Sequence, residues 1–119
     1  MELNEYQKRA MTTCTDTSRN FSYMFLNLVG EVGEFASKVA KWVRKNKANI
    51  TGNDLVANFT NLSEEDKVEL RKELGDVLWQ LSGLCAVMDW TLEDVAQENI
   101  QKLADRKKRN VIVGEGDNR

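Results

Sequence analysis

Apolar residues recur at Phe21, Phe25, Leu28, Val32, Phe35, Val39 and Val43, in steps of three and four, and this stripe predicts a long amphipathic helix running from Phe21 to about Lys45. Lys41, Arg44, Lys45 and Lys47 gather at its end, where cations complement the helix dipole. A second long helix is expected from Ser63. Glu64, Glu65 and Asp66 fill its first turn, and Leu70, Leu74, Val77, Leu81, Leu84, Cys85 and Met88 carry it to about Asp89. Past Asp76 the run VLWQLSGLCAVM is apolar nearly all round, more than one neighbouring helix can cover, which predicts a second contact surface supplied by another subunit.

Shorter elements flank these two. Asn4 followed by Gln7 is spaced like a capping box and opens a first helix reaching about Thr13, with Leu3, Tyr6 and Ala10 on one face. Thr91 with Asp94 opens a last helix to about Arg109, its face marked by Leu92, Val95, Ala96, Leu103 and Ala104. Residues 12–20 are rich in Thr, Ser, Asp and Asn and read as a connection. Residues 47–62 are rich in Asn, contain Gly52 and lack a helical period, so they form an ordered excursion or a mobile loop. The expected fold is all-α, of the four-helix-bundle type.

Composition narrows the chemistry. The 119 residues suit one domain, and the absence of proline leaves the long helices uninterrupted. A formal net charge of -2 argues against binding nucleic acid polymers by bulk attraction to phosphate. There is no apolar leader and no run long enough for a membrane span, so a cytoplasmic protein without membrane contact is expected. With no histidine and only Cys14 and Cys85, the usual general base, zinc sets and disulfide frameworks are excluded. Any acid-base or metal chemistry falls to carboxylates.

Two acidic pairs meet that requirement: Glu31 with Glu34, and Glu73 with Asp76. Spacing i to i+3 puts the members of each pair on one helix face, with Cβ atoms roughly 5 to 6 Å apart. Both pairs border apolar stripes instead of the watery side, where a carboxylate is costly without a cationic partner. If the two long helices pack antiparallel, the four acids converge near mid-length, and Mg2+, with Mn2+ as a substitute, is the cation that suits oxygen donors. Gly30, Gly33 and Gly75 beside them mark close approach of a ligand or tight helix packing. The alternative reading is two solvated faces, with Glu34 and Lys38 as an i,i+4 ion pair. On the last helix Asn99 falls within the apolar face, with Arg106 nearly in line and Lys102 beside it, which aims donors inward toward a phosphate or sugar. Trp42, Trp79 and Trp90 are candidates for stacking a base or for simple packing.

The segments LVGEVGEFASKVAKW, ELGDVLWQL and ENIQKLADRKKR together resemble the MazG-like all-α nucleoside triphosphate pyrophosphohydrolases, whose signature is E-x-x-E on one helix and E-x-x-D on the next. The resemblance runs from about Asn4 to Arg109. It implies magnesium held by Glu31, Glu34, Glu73 and Asp76, nucleotide contacts from Asn99, Lys102 and Arg106, and metal-assisted attack of water on the α-phosphorus with pyrophosphate leaving. It also implies one helical domain over residues 1–110 with a tail at 111–119, assembled as a homodimer or homotetramer. Three departures stand out: the gap between the acidic motifs is longer than usual, Ser37 replaces a frequent acid, and Gln80 a frequent tyrosine. The excursion at 47–62 is accordingly a lid or an oligomer contact, and the GEGDNR ending has no assigned role. Neighbouring readings are a dUTP-specific or phosphoribosyl-ATP pyrophosphohydrolase, or a non-catalytic helical dimerisation module.

Overall fold

The computed structural model describes residues 1–45, 49, 50, 57, 58, 62–117 and 119. Among these the chain is all-helical: α1 (Leu3–Met11), a single 3-10 turn (Asp16–Ser18), α2 (Phe21–Arg44), α3 (Glu64–Val87) and α4 (Leu92–Lys108). Within the excursion a minimal antiparallel pair, β1 (Asn49–Ile50) and β2 (Ala57–Asn58), aligns Asn49 with Asn58 and Ile50 with Ala57. Most of the expected lid or oligomer contact at 47–62 lies outside the described residues.

Local signals account for the helix starts. The Asn20 side chain accepts from Tyr23 N, Ser63 from Asp66 N and Thr91 from Asp94 N, each filling an otherwise orphaned donor. The α3–α4 corner turns through Asp89 in the left-handed region, and Asn110 does the same after α4. The expected capping box of α1 is not formed, because its two members are recruited elsewhere. Glu2 precedes the helix without a side-chain cap. Asn4 Oδ1 instead accepts from Glu93 N, and Gln7 Oε1 accepts from Leu92 N while its amide donates to Trp90 O at 3.0 Å. The Trp79 indole donates to Ala10 O and Thr13 Oγ1, so α1 is tied at its start to the α3–α4 corner and at its end to the body of α3.

α2 and α3 pack antiparallel, and the buried line follows the apolar stripe only in part. Leu28, Phe35, Val39 and Val43 of the stripe are covered, Phe21, Phe25 and Val32 are about half exposed, and Met24, Glu31, Lys38 and Trp42 complete the covered face. Met24, fully enclosed, sits on Gly83 near one end of the pair, and Trp42 packs with Leu62, Val43 and Leu70 at the other. Between these apolar contacts the seam carries charge.

The outward surface is unusually apolar for one protomer: Leu26, Val29, Leu74, Leu78, Leu81, Trp90, Val95, Ile100 and Leu103 are all exposed. The radius of gyration is 17.6 Å, against about 13.5 Å for a closed domain of this length. No helix among the described residues is long and apolar enough to cross a membrane.

A Cβ on Gly83 would run into Met24 Sδ and Cε, the end of a side chain that is fully enclosed and must shift to admit it. Gly83→Ala is therefore expected to cost about 1 to 3 kcal/mol, read as a lower urea midpoint at unchanged slope. A midpoint equal to wild type would mean that the α2–α3 contact tolerates repacking there.

Candidate metal centre

Glu31 projects from α2 into the seam, and Glu73 and Asp76, three residues apart on α3, meet it there. One carboxylate oxygen from each lies within 4.8 Å of the others. Glu31 and Glu73 are partly buried and Asp76 is exposed. Glu31 Oε2 and Glu73 Oε2 are buried and have no hydrogen-bond partner, a costly state for carboxylate oxygens. Three hard oxygen donors, two of them orphaned, fit Mg2+ or Mn2+ and not a soft metal that prefers sulfur or imidazole.

Glu34 stands apart from that triad. It is exposed and lines a cleft of ≈ 530 Å³ that also touches Glu73, Lys38 and Lys41. Burial pushes the Glu31 pKa up, the charges of Glu34, Asp76 and Glu73 push it further, and a hydrogen bond from Asn27 opposes them. Across the seam Lys38 Nζ donates to Glu73 Oε1 at 2.9 Å and lies 3.6 Å from Glu69 Oε2. Lys38 thus pairs with α3 and not with Glu34, and the hydrogen bond to Glu73 raises its pKa. The phenol of Tyr6, on α1, is held above its usual pKa by burial and by nearby Asp76. Gln80, one turn beyond Asp76, is buried with its Oε1 unpartnered.

The donors expected on α4 are not directed inward. Asn99 and Lys102 are exposed, because no helix among the described residues covers that stretch of α4. Arg106 is 4 % exposed, yet it is covered by the C-terminal tail: its Nη2 donates to Asp117 Oδ1 at 3.0 Å and to Asp117 O at 3.1 Å. Lys102 Nζ reaches the same carboxylate at 3.3 Å. The Arg106 and Lys102 contacts hold the Asp117 carboxyl below its usual pKa. Arg119 in turn donates to Val111 O, Gly116 O and Ile112 O, so the tail has a defined course although no motif announced one.

Gly33 and Gly75 face open space, so within the protomer they serve no tight packing; Gly83, not singled out from the sequence, is the glycine that does. Trp42 is buried, Trp79 anchors α1 and Trp90 is exposed. Two neighbours of the acids, Asn27 and Tyr6, escaped the sequence reading, and Lys38 entered it only as a partner for Glu34. Asn27 lies four residues before Glu31, a helical spacing that could have flagged it. Tyr6 reaches Asp76 only through the tertiary fold.

Residues 19–111 match the family model described as the MazG nucleotide pyrophosphohydrolase domain. The chain is also similar to the Gene 37 protein of Mycobacterium phage L5, 40% identical over 104 residues that cover 87% of this chain and 81% of the relative. No solved structure matches.

The raised Glu31 pKa fixes a sign. A carboxyl that binds its proton more tightly when folded contributes stability at low pH, and that contribution is lost as pH rises through the folded-state pKa. In chelator, thermal stability is expected to fall across this window, and Glu31→Gln is expected to flatten the fall and to raise Tm by a few degrees at neutral pH. Added Mg2+ should stabilise wild type more as pH rises. A variant no more stable than wild type in chelator would show that repulsion among these acids is not being relieved.

Proposed function

Since the chain belongs to the MazG nucleotide pyrophosphohydrolase family, we propose that it hydrolyses nucleoside or deoxynucleoside triphosphates to the monophosphate and pyrophosphate in a magnesium-dependent reaction. The observation that carries this reading is the meeting of Glu31, Glu73 and Asp76 with two buried carboxylate oxygens left without partners.

In this reading Glu31, Glu73 and Asp76 hold the metal, with Glu34 contributing from the rim of the cleft. A divalent ion there neutralises phosphate charge and lowers the pKa of water. Water attacks the α-phosphorus: the new O–P bond forms as the bond from the α-phosphorus to the bridging oxygen breaks, and pyrophosphate leaves with the electron pair. A carboxylate of the site takes the proton lost by water. Lys38 tethers one oxygen of Glu73 and leaves the other free for its ligating role. Asn99, Lys102 and Arg106 contact the nucleotide, the two cations exchanging Asp117 for a substrate oxygen. A second copy of the chain covers the apolar faces of α2, α3 and α4, giving a homodimer or homotetramer and supplying the wall that a single protomer lacks.

Product analysis over the common ribo- and deoxyribonucleotides, with dUTP and phosphoribosyl-ATP included, should find pyrophosphate released only when Mg2+ or Mn2+ is present. In oxygen-18 water the label should enter the monophosphate. Glu73→Gln should lower kcat/KM by about 100-fold or more while leaving the fold intact. Release of orthophosphate, or no release from any nucleotide, would refute the reaction. Light scattering coupled to size exclusion should give the mass of two or four chains; a stable monomer at micromolar concentration would refute the assembly.

A further inference from the structure

Hydrolysis of a triphosphate at its α-phosphorus requires a place for the departing pyrophosphate. Three acids crowd the seam and Glu34 stands at its rim, so a polyphosphate there calls for cations nearby. The two cations of α4 offered by the sequence are engaged by Asp117. The cleft beside the acids has its own. It shares Glu73 with the triad and Glu34 with the rim, and its wall on α2 carries Lys38, Lys41 and the Ser37 hydroxyl.

Lys38 is already poised. Its ammonium has three donors; one is committed to Glu73 Oε1 at 2.9 Å, and the Glu69 contact at 3.6 Å is too long for a second good hydrogen bond. The side chain retains 28% of its exposure and lines the cleft, so a donor can face a ligand without releasing Glu73. Lys41 follows three residues later on the same face, lines the same cleft and makes no ion pair among the described residues. Gly33, on the floor nearer Glu31, presents no side chain where a Cβ would meet nothing within 4 Å. Moving up α2 from Glu31, the order is therefore acid, open floor, a second acid at Glu34, hydroxyl and two ammonium groups.

Resting on the pyrophosphohydrolase reading above, we infer that this cleft is the pyrophosphate subsite: Lys38, assisted by Lys41, binds the β- and γ-phosphates, and the nucleoside extends away from the α2–α3 cleft. Lys38 then touches both a metal-binding carboxylate and the leaving group, which makes it a substrate-binding residue as well as a positioning one.

Calorimetric titration of the full chain separates the possibilities, first with Mg2+ alone and then with inorganic pyrophosphate in the presence of Mg2+. Wild type should bind both. Lys38→Met should bind pyrophosphate about tenfold or more weakly and Lys41→Met several-fold more weakly, while each binds Mg2+ within about threefold of wild type. Lys38→Arg should recover much of the pyrophosphate affinity, and a nucleoside monophosphate should bind all variants alike. Lys41→Met is an exposed substitution without ion pairs to lose, so it tests the subsite even if Lys38→Met folds poorly. Wild-type pyrophosphate affinity in both methionine variants would overturn the assignment while leaving the parent reading in place. Parallel loss of Mg2+ and pyrophosphate in Lys38→Met, with Lys41→Met unaffected, would also overturn it, reducing Lys38 to a support for Glu73. Failure of wild type to bind Mg2+ at all would remove the parent reading itself.

Discussion

Mutual repulsion of carboxylates across a helix seam is the constraint around which this chain is organised. Like charges about 4 Å apart repel by about 4 kcal/mol at an effective dielectric constant of 20, and here three acids face one another with a single ammonium at their edge. Such a seam does not hold itself together. The two helices are pinned apart from the acids, by Met24 seated on Gly83 toward one end and by Trp42 with Leu62 and Leu70 at the other. The charged stretch lies between two apolar clasps, and the clasps offset the cost of keeping the oxygens close.

Putting charge in the seam leaves apolar residues with nowhere to go inside one protomer. Phe21 and Phe25 stack on each other at 5.9 Å while remaining about half exposed, and Leu78 and Leu81 of α3 are exposed as well. The extended dimensions follow from this: helices that cannot close a core on their own spread their apolar faces outward. Acids inside the seam and apolar residues outside it are thus two results of one distribution of residues.

Much of this was legible in the sequence, and the misses share a cause. Helix starts followed from caps such as Ser63 and Thr91, because capping is a local matter of one side chain and one amide. The pairing of Glu73 with Asp76 followed from helical spacing, and their nearness to Glu31 from the antiparallel packing expected of bundle neighbours. The full buried line of α2 did not, since periodicity finds the most apolar face and assumes that all of it is buried. In this chain the covered face includes Glu31 and Lys38, and the more apolar stripe is partly bare. The same assumption aimed Asn99 and Lys102 inward on α4, where no described helix covers the stretch that carries them. The partner of Arg106 lay in a tail without any period, where no pattern could point to Asp117.

α1 illustrates how far structural dependence can run beyond a conserved signature. The family match begins at residue 19, after α1 has ended. Yet Gln7 and Asn4 supply acceptors to the first amides of α4, and the Trp79 indole closes the end of α1 from α3. The smallest autonomous unit is consequently larger than the recognisable one. An expression fragment trimmed to the matched span would keep all four acids and lose the buttress that sets the angle between the last two helices.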